Sequence, residues 1–228
     1  AGANQSWYQV ENYAGTLGEQ PVHVSLQQYD FSKNSNIRGV YYYDKYRSPI
    51  ALYGIKTDSS IYLCEAHTKV EQETYNENSE RVDFTRCPFR LTDENGVLKG
   101  VWKNEKRQYP VSLQRTATMS PTSIQGTVDI PFLGQTEKHA FIGRYEAADD
   151  NVIIDKVRVI DKASGKTLQI IDPNLYGCDF GFYMTTIYRG IEDEDDKSQV
   201  WFNCYSTGGD KSVLYRFDKQ AKRYRVMD

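Results

Sequence analysis

The residues best suited to chemistry in this chain are its four cysteines, Cys64, Cys87, Cys178 and Cys204. None lies in a Cys-x-x-Cys pair and no histidine lies at ligand spacing from any of them, which argues against a zinc site. An even count, with one well-separated pair in each half, predicts the disulfides Cys64–Cys87 and Cys178–Cys204 and hence an oxidising compartment. The alternative is four buried free thiols in a cytosolic protein.

Motifs for catalysis are scarce. The three histidines, His23, His67 and His139, form no H-E-x-x-H or H-x-H pattern, and there is no G-x-S-x-G elbow for an acyl-transfer serine. The stretch 165–167 (G-K-T) echoes the end of a P-loop, but Ile160 stands where that motif needs a glycine, so a turn between two strands is the better interpretation. Paired carboxylates for glycoside hydrolysis stay open because their pairing is spatial. We therefore predict no enzyme activity and no cofactor.

One segment has the composition of a calcium loop. Asp172, Asn174 and Gly177 are spaced like oxygen ligands around a glycine, whereas Tyr176 does not fit and Asp179 is out of step. An Asx-type turn explains the segment better. The sequence therefore predicts no metal ion.

Two polar features favour recognition of a partner. The first is the acidic run Glu192, Asp193, Glu194, Asp195 and Asp196, which is either a solvated hairpin tip or a surface that attracts a basic protein. The second is the loop from Ser206 to Ser212, with Asp210 and Lys211, which follows Cys204 and is either a plain hairpin turn or a pinned loop that enters a cleft. We predict that both features bind the partner.

Composition excludes some classes of protein. The net charge of the 228 residues is −3 and no basic stripe is present, which argues against nucleic-acid binding. No run approaches the ~20 apolar residues of a membrane span. The start Ala1-Gly2-Ala3 resembles a chain already cut by a signal peptidase, although a cloning remnant would look the same.

Strand patterns dominate the chain, and aromatic residues make up 13% of it. No segment holds a helical apolar period for three turns, and the polar stretch Lys69 to Glu80 fits a hairpin tip or a short helix. The fold class is therefore predicted as all-β. Short apolar or alternating runs occur at 22–26, 37–43, 50–55, 61–64, 111–113, 152–160, 167–171, 180–187, 200–205, 213–217 and 224–226.

An internal echo relates residues 37–52 to residues 98–113, which align without a gap. Each copy reads as a hairpin in which a glycine (Gly39, Gly100) lets a strand bend or approach a neighbour closely and a proline (Pro49, Pro110) opens the returning strand. Two such hairpins predict a small β-barrel-like domain over 1–114. The small, polar stretch 115–125 is predicted as a linker, and 126–228 as a second antiparallel β domain.

These segments also resemble known proteins. The block Gly39–Lys45, with Pro49–Gly54 after it, is similar to a motif of periplasmic β-rich proteins of Gram-negative bacteria. The second half, from 141–143 through 156–160 to 165–169, resembles lysozyme-inhibitor-like proteins, some of which carry a calcium loop after that strand pair. The resemblance implies a periplasmic protein that blocks a peptidoglycan-degrading enzyme, either a host lysozyme or a competitor's toxin.

The sequence thus predicts an exported, non-enzymatic periplasmic binding protein, an inhibitor or immunity protein whose partner is a basic peptidoglycan hydrolase. A cationic surface suits an enzyme that attacks an anionic cell wall, and the acidic run would steer it into contact. The alternative is an envelope enzyme or a ligand-carrying barrel that acts on cell-wall glycans.

Overall fold

A computed structural model describes residues 8–29, 36–78, 81–174, 186–204 and 211–227. The chain divides into two compact units. The barrel unit comprises the described residues up to Asp44 together with Ile50–Gly126, and the second unit comprises Lys45–Pro49 and the residues from Thr127 onward. Both units consist mainly of antiparallel strands, so the all-β prediction is confirmed.

The barrel unit is an eight-stranded antiparallel meander in which every strand pairs with the next. The eighth strand, Gln108–Met119 (β8), pairs back with the first, Tyr8–Leu17 (β1), which closes the barrel. A short ninth strand, Ile124–Gln125 (β9), extends from β8. Full closure leaves these eight strands without a free edge. The strands are Tyr8–Leu17 (β1), Gln20–Tyr29 (β2), Ile37–Tyr43 (β3), Ile50–Thr57 (β4), Ser60–Ala66 (β5), Phe89–Glu94 (β6), Val97–Lys103 (β7) and Gln108–Met119 (β8).

Glycines on four strands allow the close contacts within this barrel. A Cβ added to Gly15, Gly39, Gly54 or Gly100 would lie between 1.9 and 2.5 Å from a carbonyl oxygen of the neighbouring strand. Such sites let strands coil tightly enough to close a small barrel. The close approach that the sequence predicts at Gly39 and Gly100 is therefore confirmed, as are the hairpins β3–β4 and β7–β8 that contain them.

Packed side chains fill the inside of the barrel. Inward positions alternate with outward ones along each strand, and an eight-stranded barrel is just wide enough for side chains to fill it. The inward side chains that form the core are Tyr13, Leu17, Val22, Val24, Leu26, Ile37, Tyr41, Leu52, Ile61, Leu63, Phe89, Leu91, Leu98, Val111 and Leu113.

A disulfide joins β5 to a cysteine that lies two residues before β6. Cys64 and Cys87 are bonded, with their Cα atoms 4.6 Å apart, as predicted. The loop that it closes contains the helix Lys69–Asn78 (α1) and a short 3-10 helix, Phe84–Arg86. The Thr68 hydroxyl caps α1 by accepting a hydrogen bond from the Glu71 N–H at 3.1 Å. Of the two structures that the sequence allows for this polar stretch, a hairpin tip or a short helix, it thus forms the helix.

The second unit contains two four-stranded antiparallel sheets and a 3-10 helix, Ile187–Gly190. Aromatic residues from both sheets meet in its core, where the Phe141 ring contacts those of Phe202 and Tyr224. The first sheet comprises Val128–Gln135 (β10), His139–Ala148 (β11), Asn151–Asp161 (β12) and Thr167–Ile171 (β13), and the second Ile191–Asp193 (β14), Gln199–Cys204 (β15), Lys211–Asp218 (β16) and Arg223–Val226 (β17).

The segment 115–125 differs from its prediction as a linker. Its first part continues β8 as far as Met119, and Ile124–Gln125 forms β9. Ala117 and Met119 are buried, and the β1–β8 register shifts opposite this part of β8, between Asn12 and Tyr13. The run 180–187, predicted as a strand, lies largely outside the described residues, and Ile187 belongs to the 3-10 helix.

Candidate functional site

A pocket of about 590 Å³ lies at the end of the barrel where β1, β3, β5 and β7 finish, which we call the mouth. Tyr43, Trp102 and Tyr109 pack on the core here and remain partly exposed. The pocket therefore combines aromatic surface with polar groups from the β1–β2 turn. Its lining residues are Leu17, Gly18, Glu19, Gln20, Tyr43, Tyr109 and Pro110.

Backbone hydrogen bonds hold the walls of this pocket in place. The Gly18 N–H donates to the Pro110 carbonyl at 2.7 Å, and the Asp44 N–H donates to the Pro21 carbonyl at 3.0 Å. These bonds tie the β1–β2 turn to β8 on one side and to the end of β3 on the other. The pocket is thus formed before any ligand arrives, which lowers the entropic cost of binding.

A carboxylate in the mouth fixes the orientation of the aromatic rings. Glu65 accepts hydrogen bonds from the Tyr41 hydroxyl and from the Trp102 indole N–H at 2.9 Å, and it contacts a ring nitrogen of His67 at 2.9 Å. Burial raises the pKa of Tyr41 well above its ordinary value, and the Glu65 charge raises it further, so the phenol stays protonated and donates. Trp102 in turn lies against Tyr109, with ring centroids 5.9 Å apart.

Charged side chains occupy the opposite end of the barrel. Lys56 and Asp93 form an ion pair at 2.9 Å, and Glu11 accepts from the Tyr13 hydroxyl and contacts Arg115 at 3.6 Å. Burial alone would raise the pKa of Asp93, but the Lys56 ammonium, the Gly96 N–H and Arg115 together hold it below its ordinary value. The barrel thus carries a Lys–Asp and an Arg–Glu ion pair at this end and an aromatic pocket at the other.

The acidic run forms the hairpin between β14 and β15, and most of its carboxylates hold that hairpin together. Glu192 accepts from Arg189 at 2.8 Å and from Asn203 at 2.7 Å, and Asp193 accepts the Gln135 N–H at 2.6 Å. Further along, Glu194 accepts from the Trp201 indole and Asp196 from Ser198. Asp195 and Asp196 are the exposed members of the run.

The second predicted recognition element is only partly described. Ser206 and Asp210 lie outside the described residues. Lys211 begins β16 opposite Cys204, and the Ser212 hydroxyl donates to Asn203 at 3.0 Å. Cys178 also lies outside the described residues, so the Cys178–Cys204 disulfide stays a prediction.

The segment with calcium-loop composition forms a turn. Asp172 accepts the Asn174 N–H at 2.9 Å, the hydrogen bond of an Asx turn, as predicted. Gly177, Tyr176 and Asp179 lie outside the described residues. Within the described part of the chain, His, Cys, Asp and Glu side chains form no group of three or more that could hold a metal ion.

Of the three histidines, one is buried in the second unit. His139 Nδ1 lies 2.9 Å from the Tyr224 hydroxyl, which also lies 2.7 Å from the Thr136 hydroxyl. Burial lowers the pKa of His139, and it raises that of Tyr224 to about 12. Because all three side chains are buried, the cluster has a structural role. His23, by contrast, lies exposed on β2 beside Asp44, between the buried residues Val22 and Val24.

Sequence reasoning missed the aromatic residues of the mouth, although a signal for them exists. Gly39, Tyr41 and Tyr43 alternate along β3, as Gly100 and Trp102 do along β7, and residues two apart in a strand share a face. Because the sequence predicts that Gly39 and Gly100 approach a neighbouring strand, the aromatic residues that alternate with them could have been assigned to the same, inward face.

No helix among the described residues is long and apolar enough to cross a membrane. No protein-family model, curated protein or solved structure matches this chain.

Proposed function

We propose that this chain is a non-catalytic binding protein whose barrel takes a small ligand in the pocket at its mouth. The observation that carries the proposal is the preformed cavity of about 590 Å³, lined by Tyr43 and Tyr109 and held by the Gly18–Pro110 hydrogen bond. Small-molecule sites are typically concave, largely preformed and about 300–1,000 Å³ in volume. The mouth of a β-barrel is one of the places where such sites occur most often.

The chemistry of the mouth favours binding over catalysis. Glu65 is the carboxylate that is hydrogen-bonded to the aromatic cluster. Its oxygens already accept from Tyr41 and Trp102 and contact His67. A general base needs a lone pair directed at the substrate's proton. Glu65 therefore acts as a positioning residue that orients rings for a ligand.

We further propose that the protein is exported and works in the periplasm of a Gram-negative bacterium. The Cys64–Cys87 disulfide supports an oxidising compartment, because such bonds are rare in the cytosol. The Gram-negative periplasm itself rests on the resemblance of the Gly39–Lys45 block and of the second half. Localising an epitope-tagged chain by osmotic-shock fractionation tests this placement.

The binding function can be tested by screening a library of small metabolites against the ¹⁵N-labelled full chain by NMR. We expect at least one metabolite of the library to shift the amide signals of Gly18 and Gln20. Replacing Tyr109 by Ala should abolish those shifts. The matched control is Tyr62→Ala, since Tyr62 alternates with the core residues Ile61 and Leu63 and so faces outward from the wall of the same barrel. Ligands that bind equally well to the Tyr109→Ala variant would disprove the site.

A second candidate function is neutralisation of a basic peptidoglycan hydrolase through the β14–β15 hairpin. The observation in its favour is that Asp195 and Asp196 are exposed at the tip of this hairpin. In this proposal the residues Ser206, Asp210, Lys211 and Ser212 supply the second contact. Charges at the rim of an interface mainly change association rates.

This second function has its own test. Asp195→Asn should slow association with a basic lysozyme and flatten its salt dependence, leaving dissociation nearly unchanged. Glu192 and Asp193 are unsuitable targets because their carboxylates bond to Asn203 of β15 and to Gln135 of β10 and so hold the hairpin in place. Asp58→Asn, at an exposed turn of the barrel unit, is the control. Lack of binding to any basic hydrolase would end this candidate.

A further inference from the structure

We infer that the mouth pocket binds an uncharged sugar, a pyranose ring of a mono- or oligosaccharide. This inference rests on the proposed function and adds the chemical class of the ligand. It follows from the filled interior of the barrel, from the charged groups near the pocket, and from the aromatic and polar side chains that line it.

Long apolar ligands do not fit this barrel. Leu17, Leu52 and Leu63 are each at most 5% exposed and belong to the core that fills the inside of the barrel. A fatty acid or a similar chain needs an apolar lumen, which larger or emptier barrels provide. The ligand must therefore lie in the shallow space at the mouth.

Groups of both charge signs border the pocket. Glu19 lines it, Glu65 accepts from the Trp102 indole, and the Arg107 guanidinium donates to the Tyr109 hydroxyl at 3.3 Å. A ligand with one net charge would be attracted to one of these groups and repelled by another, whereas the hydroxyl groups of a neutral ligand hydrogen-bond to both kinds.

The remaining groups match the two kinds of surface on a sugar ring. Tyr43 and Tyr109 present aromatic rings, whose electron-rich faces attract the C–H groups on the flat side of a pyranose. Glu19 in the β1–β2 turn and Gln20 at the start of β2 are both exposed, which places a carboxylate and a carboxamide at the edge of the pocket. Each hydroxyl group of a sugar both donates and accepts hydrogen bonds. Two neighbouring sugar hydroxyls therefore match this pair, in which the carboxylate only accepts and the carboxamide both donates and accepts.

The experiment is an NMR titration of the full, disulfide-bonded chain with cellobiose, maltose and chitobiose, monitored at the amides of Gly18 and Gln20 and at the indole N–H of Trp102. We expect at least one disaccharide to shift all three signals in a saturable manner. Tyr109→Ala should weaken binding about tenfold or more, whereas Tyr109→Phe, which keeps the ring, should bind within about threefold of the unmodified chain. Tyr62→Ala is again the control.

Two exposed residues provide a test that does not depend on how Tyr109→Ala folds. The double variant Glu19→Ala with Gln20→Ala removes both polar groups at the edge of the pocket, and we expect it to weaken disaccharide binding about tenfold. Disaccharide binding that survives this double variant unchanged would overturn the inference.

Charged probes separate failure of the inference from failure of the proposed function. Choline and inorganic phosphate are titrated in parallel, and we expect neither to shift the three mouth signals. Shifts caused by choline or by the phosphate, without any caused by the disaccharides, would overturn the sugar and leave the mouth as a binding site. If these probes and the metabolite library all leave the three signals unmoved, the proposed function fails as well.

Discussion

Gly18 lies against the ring of Tyr109, so closely that a Cβ on Gly18 would come within 3.3 Å of the ring's Cδ1 atom. Gly18 has a φ of 61°, in the left-handed region that glycine adopts without strain. The contact joins the β1–β2 turn to β8 and forms one wall of the mouth pocket.

Replacing Gly18 by Ala should destabilise the barrel unit by about 1–2 kcal/mol, the usual cost of a left-handed conformation for a residue with a Cβ. It should also shift the Tyr109 ring and weaken binding in the mouth. Urea unfolding and the NMR titration measure the two effects. Gly96→Ala is the matched control, because Gly96 also has a positive φ, 84°, but lies against Arg115 at the other end of the barrel. Equal loss of binding in both variants would show that the Gly18 contact does not shape the pocket.

Replacing Glu65 by Leu should leave the Tyr41 hydroxyl and the Trp102 indole without their acceptor. We expect a loss of roughly 2–5 kcal/mol, since each buried donor left unsatisfied costs about 1–3 kcal/mol. Trp102 should also become more mobile, which its fluorescence anisotropy would detect. Glu105→Leu, at the exposed β7–β8 turn, should change neither quantity. Unaltered stability in Glu65→Leu would contradict the role of this carboxylate as a positioning residue.

The second unit should lose stability on mild acidification because of His139. Burial, with Lys138 and Lys162, lowers the pKa of this imidazole in the folded state, whereas Asp161 opposes the shift. The unfolded chain therefore binds the proton more readily, so the stability is complete above a pH of about 6.5 and decreases as the pH falls below it. Amide hydrogen exchange in β11 and β17 at pH 5 and pH 7.5 measures the effect.

The variant His139→Gln should reduce this pH dependence, although its stability at pH 7.5 will be lower because it alters the contact with Tyr224. His23→Gln, which changes the exposed imidazole on β2, should leave it intact. A pH dependence that is identical in both variants and in the unmodified chain would exclude His139 as its source.

The double variant Cys64→Ala with Cys87→Ala should lower the stability of the barrel unit by roughly 3 kcal/mol, as the chain-entropy estimate gives for a loop of this length. The sequence separation of the two cysteines is 23. Urea unfolding with and without reductant should show that reductant no longer affects the barrel unit of the variant. Peptide mapping without reductant should, in addition, recover a Cys178–Cys204 peptide. A barrel unit as stable as before would mean that α1 and its flanking turns already restrain this loop in the unfolded chain.

Local patterns predicted much of this fold from the sequence. The strands Ile37–Tyr43 and Thr167–Ile171 have the predicted bounds, because β-branched and aromatic residues cluster between turn residues at both places. The duplicated hairpins were recognisable because Gly39 and Gly100 serve the same close approach. These features depend on interactions between residues that are near each other in the chain.

The features that escaped prediction depend on distant contacts. β1 lacks a clear apolar alternation because its inward positions include Glu11 and Gly15, and Glu11 is buried only through partners such as Tyr13 and Arg115. The continuation of β8 as far as Met119 was not predicted for a related reason, because this part of the strand is defined by its pairing with β1, where the register shifts. The mouth pocket likewise exists only once the closed barrel brings Gly18 to Tyr109.

The β1–β8 seam also has a consequence for how the chain acquires its structure. Every other pairing in the barrel joins successive strands, but the seam joins residues as far apart in the chain as Leu17 and Val111. Closing such a long loop costs entropy before any contact repays it, so the seam should form late and limit the folding rate. As the chain emerges into the compartment where it folds, β1 lacks its partner β8 until β8 has emerged as well. During that interval the nascent barrel is an open sheet with two unpaired edges, and this is when it is most prone to associate with other chains.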